Sequence, residues 1–114
     1  MPPSVDDHFR DILDAIAEID DLPRGYDFEK FSRERRTRLL TERLLEIVCE
    51  ASRSIPDAIK HSEPTIDWRS MIDLGNVLRH AYHSTRADTV WEIAQGRLPS
   101  LKAFAERRLH RSGE

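Results

Sequence analysis

The chain has 114 residues, enough for one small domain and too few for two independent cores. It holds one cysteine and no 18-residue apolar run, which excludes an intramolecular disulfide and a transmembrane helix. Its net charge of -3 sets up no global field that would draw it onto nucleic acid.

The charge is unevenly spread. Residues 1–22 carry seven acidic side chains and only Arg10, a local balance of -6 that leaves +3 for the remainder. Much of that excess lies in Ser-Arg-Glu-Arg-Arg-Thr-Arg (32–38) and Glu-Arg-Arg-Leu-His-Arg (106–111). Such patches suit RNA phosphates or plain solvated helix faces. The opening Met-Pro-Pro-Ser-Val-Asp-Asp lacks the basic and apolar regions of a secretory signal. With its lone thiol, the chain reads as a reduced cytoplasmic protein.

In chain order, Phe9, Ile12, Leu13, Ile16 and Ile19 recur at helical spacing and predict a helix over about 5–20. Leu22, Pro23 and Gly25 break it, and Phe28 and Phe31 suit a short turn lidding the core. A long helix over about 33–54 follows, capped near Ser32, with Leu40, Leu44, Ile47, Val48 and Ala51 as its buried stripe and Leu39 and Leu45 widening it. Pro56 stops it, and 57–67 read as a short helix or loop. After the next helix, Thr85–Asp88 offers a cap for a short helix carrying Val90, Trp91 and Ile93, ended by Gly96. Pro99 suits the first position of a last helix with Leu101, Phe104, Ala105 and Leu109 inward. No period-two alternation competes, so the expected fold is all-α, one antiparallel four- to five-helix bundle spanning 1–114.

The informative stretch is Pro64–His83. Asp67 can cap a helix there whose residues Met71, Leu74, Val77, Leu78 and Ala81 share one broad apolar side, with Tyr82 at its margin. Asn76, Arg79, His80 and His83 share another. Gly75, mid-helix, costs about 1 kcal/mol relative to Ala and so marks a close helix approach, either within the chain or against a second copy.

The run Ile-Asp-Trp-Arg-Ser-Met-Ile-Asp-Leu-Gly-Asn-Val-Leu-Arg-His-Ala-Tyr (66–82), Thr-Val-Trp-Glu-Ile-Ala (89–94) and Leu-Pro-Ser-Leu (98–101) resemble the HepT-like HEPN domains. Those are the toxin halves of HEPN/minimal-nucleotidyltransferase (HepT–MntA) toxin–antitoxin pairs, classed as type VII. Glu50-Ala51 fits the same pattern, and the resemblance covers nearly the whole chain. It implies a homodimer with two motif helices side by side and metal-independent RNA cleavage in the cleft between them, with no cofactor. It further implies a minimal nucleotidyltransferase antitoxin that silences the nuclease by adenylylating a tyrosine. Position by position, His80 matches the motif histidine, Tyr82 the His-x-Tyr tyrosine, and Asn76 the polar residue after the motif arginine. The arginine's own place is held by Gly75, and Arg79 lies one helical turn further along the same row.

RNA cleavage without a metal needs a base for the 2′-hydroxyl, a cation for the anionic phosphorane, and an acid for the leaving oxygen. An imidazole titrating near pH ~6.5 serves as base or acid, which suits His80, and the Arg79 guanidinium suits the phosphate. Asn76 is a positioning candidate, Tyr82 the modification acceptor, and His83 a further RNA-contact candidate. His80 and His83 have no carboxylate or thiol at a spacing that completes a zinc set. Trp68 and Trp91 read as packing residues, Cys49 as a buried inert thiol, and Asp73 as an exposed helix charge. Two other readings stand beside the nuclease: a catalytically degenerate docking partner of a nucleotidyltransferase, and a purely structural helical dimer. Gly75→Arg is the expected discriminator, with gain of toxicity marking a degenerate nuclease.

Overall fold

The computed structural model describes residues 2–21, 27–80 and 87–112. Ser4 opens α1 (Val5–Asp20) with a reciprocal capping box. Its hydroxyl accepts the Asp7 N–H at 3.1 Å while the Asp7 carboxylate accepts the Ser4 N–H at 2.9 Å. Hydrogen bonding from the Ser4 backbone N–H, and secondarily from the Ser4 hydroxyl, holds the Asp7 carboxyl below the usual carboxylate range. The face bearing Phe9, Ile12, Ile16 and Ile19 is buried, as the spacing predicts.

The aromatic turn is a helix of its own, α2 (Phe28–Arg33), capped by Asp27 through the Lys30 N–H at 2.8 Å. Phe31 is fully buried, its ring 5.1 Å from that of Trp91. This early start uses up Ser32, whose hydroxyl donates back to the Glu29 carbonyl at 2.9 Å instead of capping the next helix. The long helix α3 (Arg35–Arg53) therefore begins after Glu34, without a side-chain cap. Leu44, Leu45, Val48, Cys49 and Ala51 form its buried stripe. Spacing predicts Leu40 in that stripe, but it is 52% exposed and Leu39 is exposed beside it. Periodicity assigns a residue to an apolar side; it does not supply a neighbour to cover it.

Next come α4 (Asp57–His61), α5 (Trp68–His80), α6 (Ala87–Gly96) and α7 (Leu98–Ser112). Lys60 is buried on α4, 8% exposed, and its ammonium donates to the Arg53 carbonyl at the end of α3 at 3.4 Å. A helix C-terminus carries partial negative charge on such carbonyls, so this is a favourable place for a cation. Asp67 caps α5 as expected, accepting the Ser70 N–H at 3.1 Å and the Ser70 hydroxyl at 2.6 Å. These bonds, with Arg97 nearby, hold its carboxyl below the usual range. Pro99 is the second residue of α7, not the first, and still falls in the turn whose N–H groups need no helical acceptor.

The core is built around α3, which packs against α1, α5, α2 and α6, while α7 closes on α1 and α6. Phe104 of α7 makes edge-on contacts with Phe9 and Trp68, the ring centroids 5.9 and 5.8 Å away. The Trp68 indole N–H donates to the Glu63 carbonyl at 3.2 Å. Both tryptophans thus serve packing. The described residues form an all-α bundle with no strand, and none of their helices is long and apolar enough to cross a membrane.

Candidate functional site

The two sides of α5 have different surroundings. Met71, Leu74 and Gly75 are buried against the bundle. A Cβ placed on Gly75 would lie 2.7 Å from the Cys49 Cβ on α3, a distance that packed side chains do not reach. The close approach signalled by the mid-helix glycine is therefore made within the chain, against α3. Burial pushes the Cys49 thiol up to about 12, Glu46 adds to the rise, and the Gly75 N–H opposes it weakly. The thiol stays protonated and inert.

Gly75→Arg fails as a discriminator on the same geometry. A side chain at 75 meets the backbone-proximal carbon of Cys49, which cannot swing aside, so arginine there would break the seam before any activity was read.

The opposite side is open. Asp73, Asn76, Val77 and His80 are exposed, with Asn76 and His80 one helical turn apart. Val77, expected inside, is 51% exposed. At 100° per residue it lies about 200° from Gly75, so seating the glycine on α3 turns Val77 outward.

Arg79 lies four residues beyond Gly75, on the row that faces α3. Its guanidinium Nη2 pairs with Glu50 Oε1, linking α5 to α3. The side chains are 37% and 46% exposed, so the pair adds only about 0.2–1 kcal/mol to stability. Glu50 also lines a groove of about 250 Å³ between α1 and α3, together with His8, Asp11, Arg43 and Ser54. Sequence patterns do not reveal this pair, since the partners are distant along the chain and only the packing of α3 on α5 brings them together. The structure thus places Asn76 and His80 on one solvent-facing edge and draws the Arg79 guanidinium toward the α3 side of it. Tyr82 and His83, like Ala81, lie outside the described residues. Among the described residues no group of three or more His, Cys, Asp or Glu side chains could hold a metal ion.

Fold and site together define a small all-α HEPN-type bundle that exposes an asparagine–histidine edge beside an arginine. The chain belongs to the HepT-like ribonuclease family: the family model described as "Ribonuclease HepT-like" matches residues 12–108. A protein of Thermococcus cleftensis named "Probable ribonuclease HepT" is 36% identical over 107 residues, 94% of this chain and 97% of that protein. A Methanocaldococcus jannaschii protein, named as a candidate RNase, is 29% identical over 96 residues, covering 84% of this chain and 88% of its own. No solved structure matches the chain.

Proposed function

We propose that the protein is a metal-independent RNA endoribonuclease that acts as a homodimer, with His80 as the acid–base group. The observation that carries this reading is the solvent-open His80 imidazole with Asn76 one turn behind it and a guanidinium adjacent, on a chain of the HepT-like ribonuclease family. In the cleavage step one His80 accepts the proton of an RNA 2′-hydroxyl. The freed oxygen attacks the adjacent phosphorus, and the bond from phosphorus to the 5′-oxygen breaks. The His80 of a second copy protonates that leaving oxygen. Arg79 meets the charge that develops on the phosphorane, and Asn76 orients the phosphate. General acid–base help of this kind is worth about 10²–10⁴ in rate.

A dimer pairing the two α5 edges accounts for Val77, a large apolar side chain exposed between Asn76 and His80. Tyr82 is then the acceptor for a minimal nucleotidyltransferase antitoxin in the cytoplasm. Its hydroxyl would attack the α-phosphorus of ATP, releasing pyrophosphate, and the added phosphate would repel RNA by charge.

His80→Ala tests the reading on end-labelled single-stranded RNA: cleavage is expected to vanish, and cleavage at the wild-type rate removes His80 from the mechanism. Val77→Asp is expected to convert a dimer to a folded monomer in light scattering, and a wild-type monomer would sink the shared cleft. Intact mass of protein co-expressed with the nucleotidyltransferase is expected to rise by AMP units on Tyr82, and to stay unchanged in Tyr82→Phe.

One observation favours a second reading. The place of the motif arginine is sealed by the Gly75–Cys49 contact, and the nearby guanidinium is already paired with Glu50. A chain that binds the nucleotidyltransferase but never cuts RNA would be a docking partner, and wild-type protein inert on RNA yet retained by that partner would establish it.

A further inference from the structure

The Arg79–Glu50 pair crosses from α5 to α3 at the edge where His80 opens to solvent, in a chain that has no arginine at position 75. We infer that Glu50 is a positioning residue for RNA cleavage: its carboxylate holds the Arg79 guanidinium in place to receive the scissile phosphate. The inference rests on the nuclease reading above.

Three features support it. First, Arg79 sits on a row that would otherwise send a long, freely rotating side chain along the α3 seam. Arginine loses much rotamer freedom when it is fixed, and the carboxylate makes that adjustment before RNA arrives. Second, the guanidinium is a planar fork of five donors. The contact with Glu50 engages Nη2, which leaves other donors for a phosphate oxygen. A carboxylate on one edge and a phosphate on another satisfy the fork without either displacing the other. Third, the Gly75–Cys49 contact brings α5 close to α3 one turn before Arg79, which puts Glu50 within reach. Glycine at 75 and the glutamate anchor at 50 are thus two parts of one arrangement that places the cation a turn later in the helix. An arginine fixed this way acts mainly in the transition state, where charge on the phosphorane grows, so its loss falls on kcat more than on KM.

The test uses the full chain on single-stranded RNA. Glu50→Gln keeps shape and removes the anchor's charge; it is expected to lower kcat about tenfold while KM moves less than threefold. Arg79→Ala is expected to lower kcat about a hundredfold, and the double variant to be no slower than Arg79→Ala alone, because Glu50 acts through Arg79. Independent multiplication of the two losses, or Glu50→Gln cleaving as fast as wild type or faster, overturns the inference; the faster outcome would make Glu50 a competitor for the cation. A second arm does not need cleavage. In nitrogen-15 spectra the Arg79 Nε–H signal, identified by its loss in Arg79→Ala, is expected to be resolved from the bulk arginines and to merge with them in Glu50→Gln. An Arg79 signal unaffected by Glu50→Gln overturns the positioning role. Wild-type protein that cuts no RNA would overturn the nuclease reading instead, and the spectra would still decide whether Glu50 holds Arg79.

Discussion

The inner and outer sides of α5 are built by different rules. On the inner side Met71, Leu74 and Gly75 fill space that the rest of the chain leaves, and Gly75 is fixed by a single carbon of Cys49. On the outer side Asn76, Val77 and His80 meet solvent, and nothing in the packing of the described residues calls for those side chains. A residue whose identity packing does not explain is the place to look for chemistry. The 3.6-residue period lets one helix serve both purposes, so the two sides should also fail differently.

The largest effect on stability belongs to the sealed interior. Phe9→Ala removes a fully buried ring packed edge-on against Phe104 and is expected to cost about 3–5 kcal/mol in urea unfolding. His80→Ala, on the open edge, should stay within about 0.5 kcal/mol of wild type in the same assay; a large loss there would mean that the edge is structural after all.

Next comes the seam. Gly75→Ala is expected to cost about 1–3 kcal/mol by overpacking, offset in part by the roughly 1 kcal/mol gained in helix propensity. In a double-mutant cycle the Gly75→Ala loss should largely vanish in a Cys49→Gly background and persist in a Cys49→Ala background, since the clash is with the Cβ and not the sulfur. Equal coupling of both backgrounds to position 75 would place the close contact elsewhere.

The thiol gives a pH-dependent test of the same contact. The Cys49 pKa is raised from 9.0 to about 12 in the folded protein, so its contribution to stability is intact below pH 9 and lost as pH rises toward 12. Cys49→Ala is expected to flatten that alkaline decline, and the native wild-type thiol to resist alkylation at pH 8.

The smallest effect is at the helix cap. Asp67→Ala is expected to lower Tm modestly at neutral pH. Because the Asp67 carboxyl is held low, its contribution is present above the unfolded carboxylate pKa of about 4 and fades as pH falls through the lower folded value. Melting curves of the two proteins should therefore converge in acid, and a gap that persists there would argue against a charged cap.

Much of this architecture is legible in the order of the amino acids alone. The limits of α1, the Asp67 cap, the breaks at Pro56 and Gly96 and the inert thiol follow from spacing and local chemistry. What spacing misses is non-local. Ser32 reads as a cap because nothing along the chain reveals that Asp27 starts a helix first and claims it. Leu40 and Val77 read as buried because a period cannot say which neighbour covers which turn. His80 and Asn76 stand out through their match to the family motif. The Arg79–Glu50 pair does not, because it exists only once α3 and α5 are packed.

Lys60 has a mechanical consequence. By donating to the Arg53 carbonyl, it fastens α4, which leads into α5, to the end of α3. From Trp68 to His80 the helix rises about 18 Å, and its far half is tied to α3 by the Gly75–Cys49 contact and the Arg79–Glu50 pair. The placement of α5 is therefore set from α3, and a displacement of only about 1 Å between the two helices is on the scale that can cost a catalytic geometry about a hundredfold in rate. Loss of the Lys60 ammonium would remove one tie to α3 at a distance from the His80 edge.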